Sequence, residues 1–169
     1  VTAAAIGAGT RMWRLSVEVK ELGHLVLYVR NLERSAAFYR DVLGWRQLAP
    51  TVDLGFPAAA FSAPSNRTHH ELLLIEVGED APRAPAGRRV GLYHFGLKVG
   101  DSDDELRQAL SAVQDAGATV VGTSDHTVTH SLYILDPDGN EIELYVDVPG
   151  VDWATDPALV FSPIRPLAL

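Results

Sequence analysis

The sequence contains no cysteine. Disulfides and thiolate metal sites are therefore excluded, and any bound metal must be held by His, Asp or Glu. There is one methionine, Met12. No apolar run approaches the roughly 18 residues that a membrane span needs. No basic run exists either, and the formal net charge is −8, which argues against nucleic acid or an anionic membrane as a partner. Residues 1–11 are small and weakly hydrophobic, without the basic start and long apolar core of a signal peptide. They are expected to be a flexible extension or a mis-set start, within an extension 1–21 that leads into the first strand. A cytoplasmic location is expected.

What is present suits a folded chain. Hydrophobic residues make up 47% of 169 residues, enough for one domain or for two small modules sharing a core. The most informative stretch is DPDGNEIELYVD, residues 136–147. Asp136-Pro137-Asp138-Gly139 predicts a tight turn, because Pro presets φ and Gly accepts a positive φ. The residues that follow alternate with the strand period. Glu141, Glu143 and Tyr145 share one face; Ile142, Leu144 and Val146 share the other. Two carboxylates and a phenol in mid-strand fit a solvated face, or a site. Two upstream histidines, His24 and His94, stand where they could share a metal with Glu143.

The rest of the chain is one pattern written twice. A strand is expected over 22–30, with His24, Val26 and Tyr28 on one face, then a helix from an Asn31 cap to Gly44. Short strands follow at 45–49 and 57–62, and a longer one at 69–77 containing His69, His70 and Glu71. After a linker at 78–90 the pattern restarts. A strand at 92–99 carries His94, and a helix runs from a Ser102/Glu105 capping box to Gly117. Strands follow at 118–122, 131–135 and beyond the Asp136 turn. His24 and His94 are 70 residues apart, and Gly44 and Gly117 are 73, the near-constant offset of an internal repeat. The expected fold is α+β: two βαβββ modules, 22–82 and 90–150, forming a curved mixed sheet around a metal cavity with helices outside. The proline-containing tail, 151–169, is expected to run as an extended arm. Tyr28, Tyr93 and Phe95 are expected in the core.

The segments GHLVLYVRNLERSAAFYRDVLGW, HHELLLIEVG, GLYHFGLKV and SDHTVTHSLYILDPDGNEIELYVD resemble the vicinal oxygen chelate superfamily, which includes glyoxalase I, extradiol dioxygenases and bleomycin resistance proteins. Among these the chain looks most similar to dioxygenases of the catechol 2,3-dioxygenase type. That resemblance implies an Fe(II)-dependent ring cleavage of a catechol-like diol by a homodimer, with His24, His94 and Glu143 as metal ligands. It also implies His70 beside the oxygen site and Tyr133 on the substrate hydroxyl. The position matching the family's acid/base histidine is Ser124, so His126 and His130 are the candidates for that role. Two imidazoles and one carboxylate leave open positions on non-heme iron for a chelating substrate and dioxygen.

If Glu71 is a fourth ligand, the set becomes that of glyoxalase I. A lyase or isomerase using Ni(II), Zn(II), Co(II) or Mn(II) and a glutamate base is then the alternative. A non-catalytic drug-binding protein is a third. His70 and Glu71 are adjacent in a strand and should point to opposite faces, so alternation separates the first two.

Overall fold

The computed structural model describes residues 17–50, 53–83 and 87–169. The expectation for residues 1–11 lies outside them. Two four-stranded sheets are present. The first contains β1 (Leu25–Val29), β2 (Arg46–Leu48), β3 (Ala58–Ser62) and β4 (Leu72–Glu76), in the order β1-β4-β3-β2. The second contains β5 (His94–Gly100), β6 (Thr119–Asp125), β7 (Thr129–Leu135) and β8 (Glu141–Asp147), in the order β5-β8-β7-β6. In each, the first strand of the module runs parallel to the last and the other neighbours are antiparallel. The expected repeat is therefore a repeat of topology, and the fold is α+β with two mixed sheets.

Each sheet is covered by a helix that follows its first strand. In the first module α1 (Leu32–Ala37) starts at Asn31, whose side chain accepts from the Arg34 amide at 2.9 Å. The expected single helix to Gly44 instead widens into a π-helical turn over Phe38–Val42, with the Leu43 amide donating to the Phe38 carbonyl at 3.2 Å. This wider turn coincides with two consecutive buried aromatics, Phe38 and Tyr39. In the second module α2 (Asp103–Asp115) begins at Ser102, whose hydroxyl caps the Glu105 amide. Glu105 reaches back to the Asp101 amide at 2.9 Å. Leu106 and Val113 form its buried stripe. Both helices stop before a glycine at φ +70°, Gly44 and Gly117, where a side chain would be strained.

Burial follows the alternation of the strands. Ile142, Leu144 and Val146 are at most 1% exposed, and they join Leu132, Ile134 and residues of the first sheet such as Leu74 and Phe61 in one hydrophobic cluster. The opposite faces stay open, which corrects one expectation: Tyr28 and Tyr93 are not core residues but 71% and 76% exposed. Tyr28 shares the β1 face with Val26, and among the described residues no element covers it. Phe95 is partly buried against the core. No helix among the described residues is long and apolar enough to cross a membrane.

The C-terminal residues fold back onto the second sheet. Arg165 exchanges backbone hydrogen bonds with Asp125 at 2.9 Å each, extending the β6 edge, and the Leu167 carbonyl accepts from Thr123 Oγ1 at 2.7 Å. Leu167 and Leu169 pack against the core. The arm thus brings Ile164 to the open face of the second sheet.

Candidate metal and acid-base site

The open face of the second sheet gathers most of the chemistry. Parallel pairing sets Gly96 of β5 against Glu143 of β8, and antiparallel pairing sets Tyr133 of β7 against Glu143 from the other side. The Glu143 carboxylate is therefore flanked by two strands. Its Oε2 lies 3.3 Å from His94 Nε2. Its Oε1 accepts from Ser131 Oγ at 2.6 Å and from the Tyr133 hydroxyl at 3.1 Å. The Tyr133 oxygen is in turn 2.6 Å from His126 Nε2. A phenol that gives its one proton to Glu143 must receive from His126, so the network assigns that imidazole an Nε2–H. Gly96 makes room for the neighbouring Tyr145 ring, which a Cβ there would meet at 3.3 Å, while Glu143 Oε2 at 3.6 Å would stay in ordinary contact.

Electrostatics hold Tyr133 as a neutral phenol. Its pKa is pushed well above the usual tyrosine range, first by burial and then by the negative Glu143 beside it. Both effects penalise the phenolate. Tyr145 is raised too, by burial and by Asp147. A cavity of about 330 Å³ opens above this network. Tyr93, His94, His126, Tyr133 and Val121 line it, and Ile164 of the C-terminal arm closes one side.

The other sequence candidates fall elsewhere. His24 immediately precedes β1, and His70 and Glu71 immediately precede β4. Because β1 and β4 are parallel with Leu25 opposite Leu72, the two strand entrances coincide. His24 and His70 have ring centroids 4.7 Å apart, and His69 lies 4.4 Å from His70. His70 is held below the usual histidine range by burial, then by the neighbouring His69 and His24. Glu71 has different company: its Oε2 accepts from the Ala63 amide at 2.9 Å, and its Oε1 is buried without a hydrogen-bond partner. His130 Nδ1 is 2.6 Å from Asp103 of α2, and its Nε2 is 3.8 Å from Asp125. Of the two candidate acid/base histidines, only His126 lines the cavity.

The sequence reading passed over Ser131 and Ile164. Ser131 was findable, because it sits two residues before Tyr133 and so shares its face. Ile164 carried no local signal.

A model of the Glyoxalase/Bleomycin resistance protein/Dioxygenase superfamily matches residues 21–144. The chain belongs to this superfamily. It is 37% identical over 139 residues to a catechol-2,3-dioxygenase of Bacillus subtilis (strain 168), covering 82% of this chain and 46% of that protein. It is 34% identical over 130 residues to a biphenyl-2,3-diol 1,2-dioxygenase of Rhodococcus globerulus, covering 75% of this chain and 63% of that one. The chain thus spans about half the length of these dioxygenases. With a lactoylglutathione lyase of Neisseria meningitidis (strain MC58) it shares 31% identity over 133 residues, 76% of this chain and 92% of the lyase. The solved glyoxylase/bleomycin resistance protein/dioxygenase domain from Frankia sp. EAN1pec superposes with a TM-score of 0.64 at 22% identity, over 77% of this chain and 99% of that one, a likeness of fold.

The superfamily resemblance implies a divalent ion, and the donors here fit one in kind. His94 and Glu143 offer an imidazole and a carboxylate 3.3 Å apart. His94 Nδ1 is buried without a hydrogen bond, 3.4 Å from Glu141 Oε1 but poorly directed toward it. In number they fall short, since among the described residues no group of three or more His, Asp or Glu side chains is placed to hold an ion. The second sheet presents two of the three expected donors, and the third, His24, stands with His69 and His70.

Proposed function

We propose that the chain carries the catalytic modules of a metal-dependent extradiol dioxygenase that opens the ring of a catechol-like aromatic diol. The observation that carries this reading is the connected set His94, Glu143, Tyr133 and His126: a ligand pair adjoining a neutral phenol that is itself hydrogen-bonded to a second imidazole. The 37% identity to a catechol-2,3-dioxygenase supports it.

In this reading His94 and Glu143 of the second sheet would hold Fe(II), and His24, which stands apart with His69 and His70, would complete the set. Bound there, the ion would supply a chelating centre for two vicinal oxygens and a path for electrons from ring to dioxygen. The chain's own groups do the rest. Tyr133, protonated at neutral pH, would turn its proton from Glu143 to a substrate oxygen. His126 moves a proton at Nε2 through its contact with Tyr133. His70, disfavoured as a cation by its surroundings, offers a neutral imidazole beside His24. Tyr93, Val121 and Ile164 offer the ring an apolar wall. The reading includes a cytoplasmic homodimer acting in the breakdown of aromatic compounds.

A second reading, a glyoxalase I-like lyase or isomerase on Ni(II), Zn(II), Co(II) or Mn(II), is favoured by the unpartnered buried Oε1 of Glu71 and by the near full-length match to the Neisseria lyase. Oxygen uptake separates the two. Fe(II)-loaded protein should consume oxygen with catechol. Turnover of an enolisable thiohemiacetal without oxygen, with no uptake on any diol, would establish the lyase instead.

A further inference from the structure

A second and larger cavity, about 780 Å³, adjoins the first, and the two share Tyr93 and Glu141 in their walls. Its most distinctive lining is Arg83, Arg88 and Arg89. These are three of only 14 basic residues in a chain of net charge −8, and they fall within seven positions of the linker between the modules. Among the described residues neither Arg83 nor Arg88 is ion-paired to a carboxylate. The Tyr93 phenol in the shared wall is pushed up by the Glu141 charge first and then by burial, with Arg88 acting in the opposite direction.

Two carboxylates also line the cavity, and each has partners of its own. Asp138 accepts from Ser35 Oγ at 3.0 Å and lies 3.3 Å from Arg34 Nη2. Glu141 is hydrogen-bonded to Tyr93 in the shared wall and lies 3.4 Å from His94 Nδ1. With three guanidinium groups against these two carboxylates, the lining carries an excess of positive charge on its Arg83–Arg88–Arg89 side. Guanidinium groups match the planar fork of a carboxylate, and the volume exceeds what a bare diol ring requires.

We propose that the substrate carries an anionic side chain, a carboxylate, that lies in the Arg83–Arg88–Arg89 cavity while its reacting end lies against His94, Glu143 and Tyr133. This rests on the dioxygenase reading for the reacting end; the cationic cavity itself does not.

The test compares catechol with 3,4-dihydroxyphenylacetate on Fe(II)-loaded protein, and measures phenylacetate binding to metal-free protein by calorimetry. The carboxylated diol should have a kcat/KM about fivefold to tenfold higher at low salt, the range expected of exposed charge pairs acting together. That ratio should collapse toward one in R88S/R89S, recover partly in R88K/R89K, and stay unchanged in R107S on the outer helix. Phenylacetate binding should weaken in R88S/R89S and with added salt. A ratio near one in the native protein, or one indifferent to R88S/R89S, overturns the proposal while leaving ring cleavage intact. Absence of oxygen uptake with either diol, together with arginine-dependent phenylacetate binding, sinks the dioxygenase reading but upholds the anion cavity. Absence of both overturns the cavity as well.

Discussion

The Tyr39 hydroxyl donates to Asp136 Oδ2 at 2.9 Å, joining the first module's helix to the turn that precedes the last strand of the second. Tyr39 is fully buried and Asp136 is 5% exposed. Asp136 also accepts from the Asp138 and Asn140 amides at 2.9 and 2.8 Å and from Asn140 Nδ2 at 2.9 Å, so one carboxylate organises the whole turn and anchors it across the modules. Losing the phenol leaves Asp136 three donors. Tyr39→Phe should therefore cost about 1–2 kcal/mol in urea unfolding, and Asp136→Ala about 3 kcal/mol or more, because it strands several donors at once. Equal, negligible losses in both would contradict this account of the turn.

The same pair sets a pH dependence. Burial, then the Asp136 charge, raises the Tyr39 pKa well above 10.0. The folded state thus holds this proton at pH values where the unfolded chain, with a tyrosine pKa of about 10, has released it. The contribution is fully present below pH 10 and is lost as pH rises through the folded pKa, so stability should fall on the alkaline side. Tyr133 and Tyr145 are raised as well and add to that fall. Comparing native protein with Tyr39→Phe between pH 9 and 11 isolates the Tyr39 share: the variant should show the shallower alkaline decline. Parallel curves would contradict it.

Much of this arrangement was legible in the sequence, for one physical reason: strand alternation and helix caps are local. The opposed faces of Glu141–Asp147, the Ser102 cap and the glycine stops after each helix all appear where their residues imply. Contacts set by strand pairing were less accessible. That His24 would meet His70 and His69 follows from the parallel β1–β4 register, which no single strand encodes. Tyr28 and Tyr93 looked like core because aromatic residues usually are, yet each lies on a face that nothing described covers. Ile164 reached the cavity only because the arm pairs with β6 at Asp125, a long-range event without a periodic signature.

The arm supplies a clean separation of stability from binding. Ile164 is 66% exposed, so Ile164→Ala should change unfolding free energy by less than about 0.5 kcal/mol. It should nevertheless raise the KM for an aromatic diol severalfold, since it removes an apolar wall of the 330 Å³ cavity. A KM unaltered by the substitution means the arm does not shape the site.

His70 and Glu71 divide the two enzyme readings. For a dioxygenase, His70→Ala should lower turnover by about 10²–10³, the cost of one lost donor at developing charge, with metal content unchanged. Glu71→Gln should be nearly silent, since Glu71 is tied to the Ala63 amide. A Glu71→Gln variant that abolishes activity or strips metal would favour the lyase.

Assembly is a separate expectation. Val26 and Tyr28 are 44% and 71% exposed beside His24, and the outer edges of β1 and β5 have no strand partner among the described residues. Unpaired edges and bare apolar faces are usually covered. Sedimentation at micromolar concentration should give a dimer, and a monomer would refute this.

The central claim is that His94 and Glu143, with His24, hold one divalent ion. Anaerobic Fe(II) titration followed by desalting and metal analysis tests it most directly. The native protein should retain about one iron per chain. His24→Ala, His94→Ala and Glu143→Ala should each lose most of it, while His126→Ala keeps it, because ligation needs all three donors and the proton relay none. Full iron retention by Glu143→Ala or His94→Ala would contradict the account.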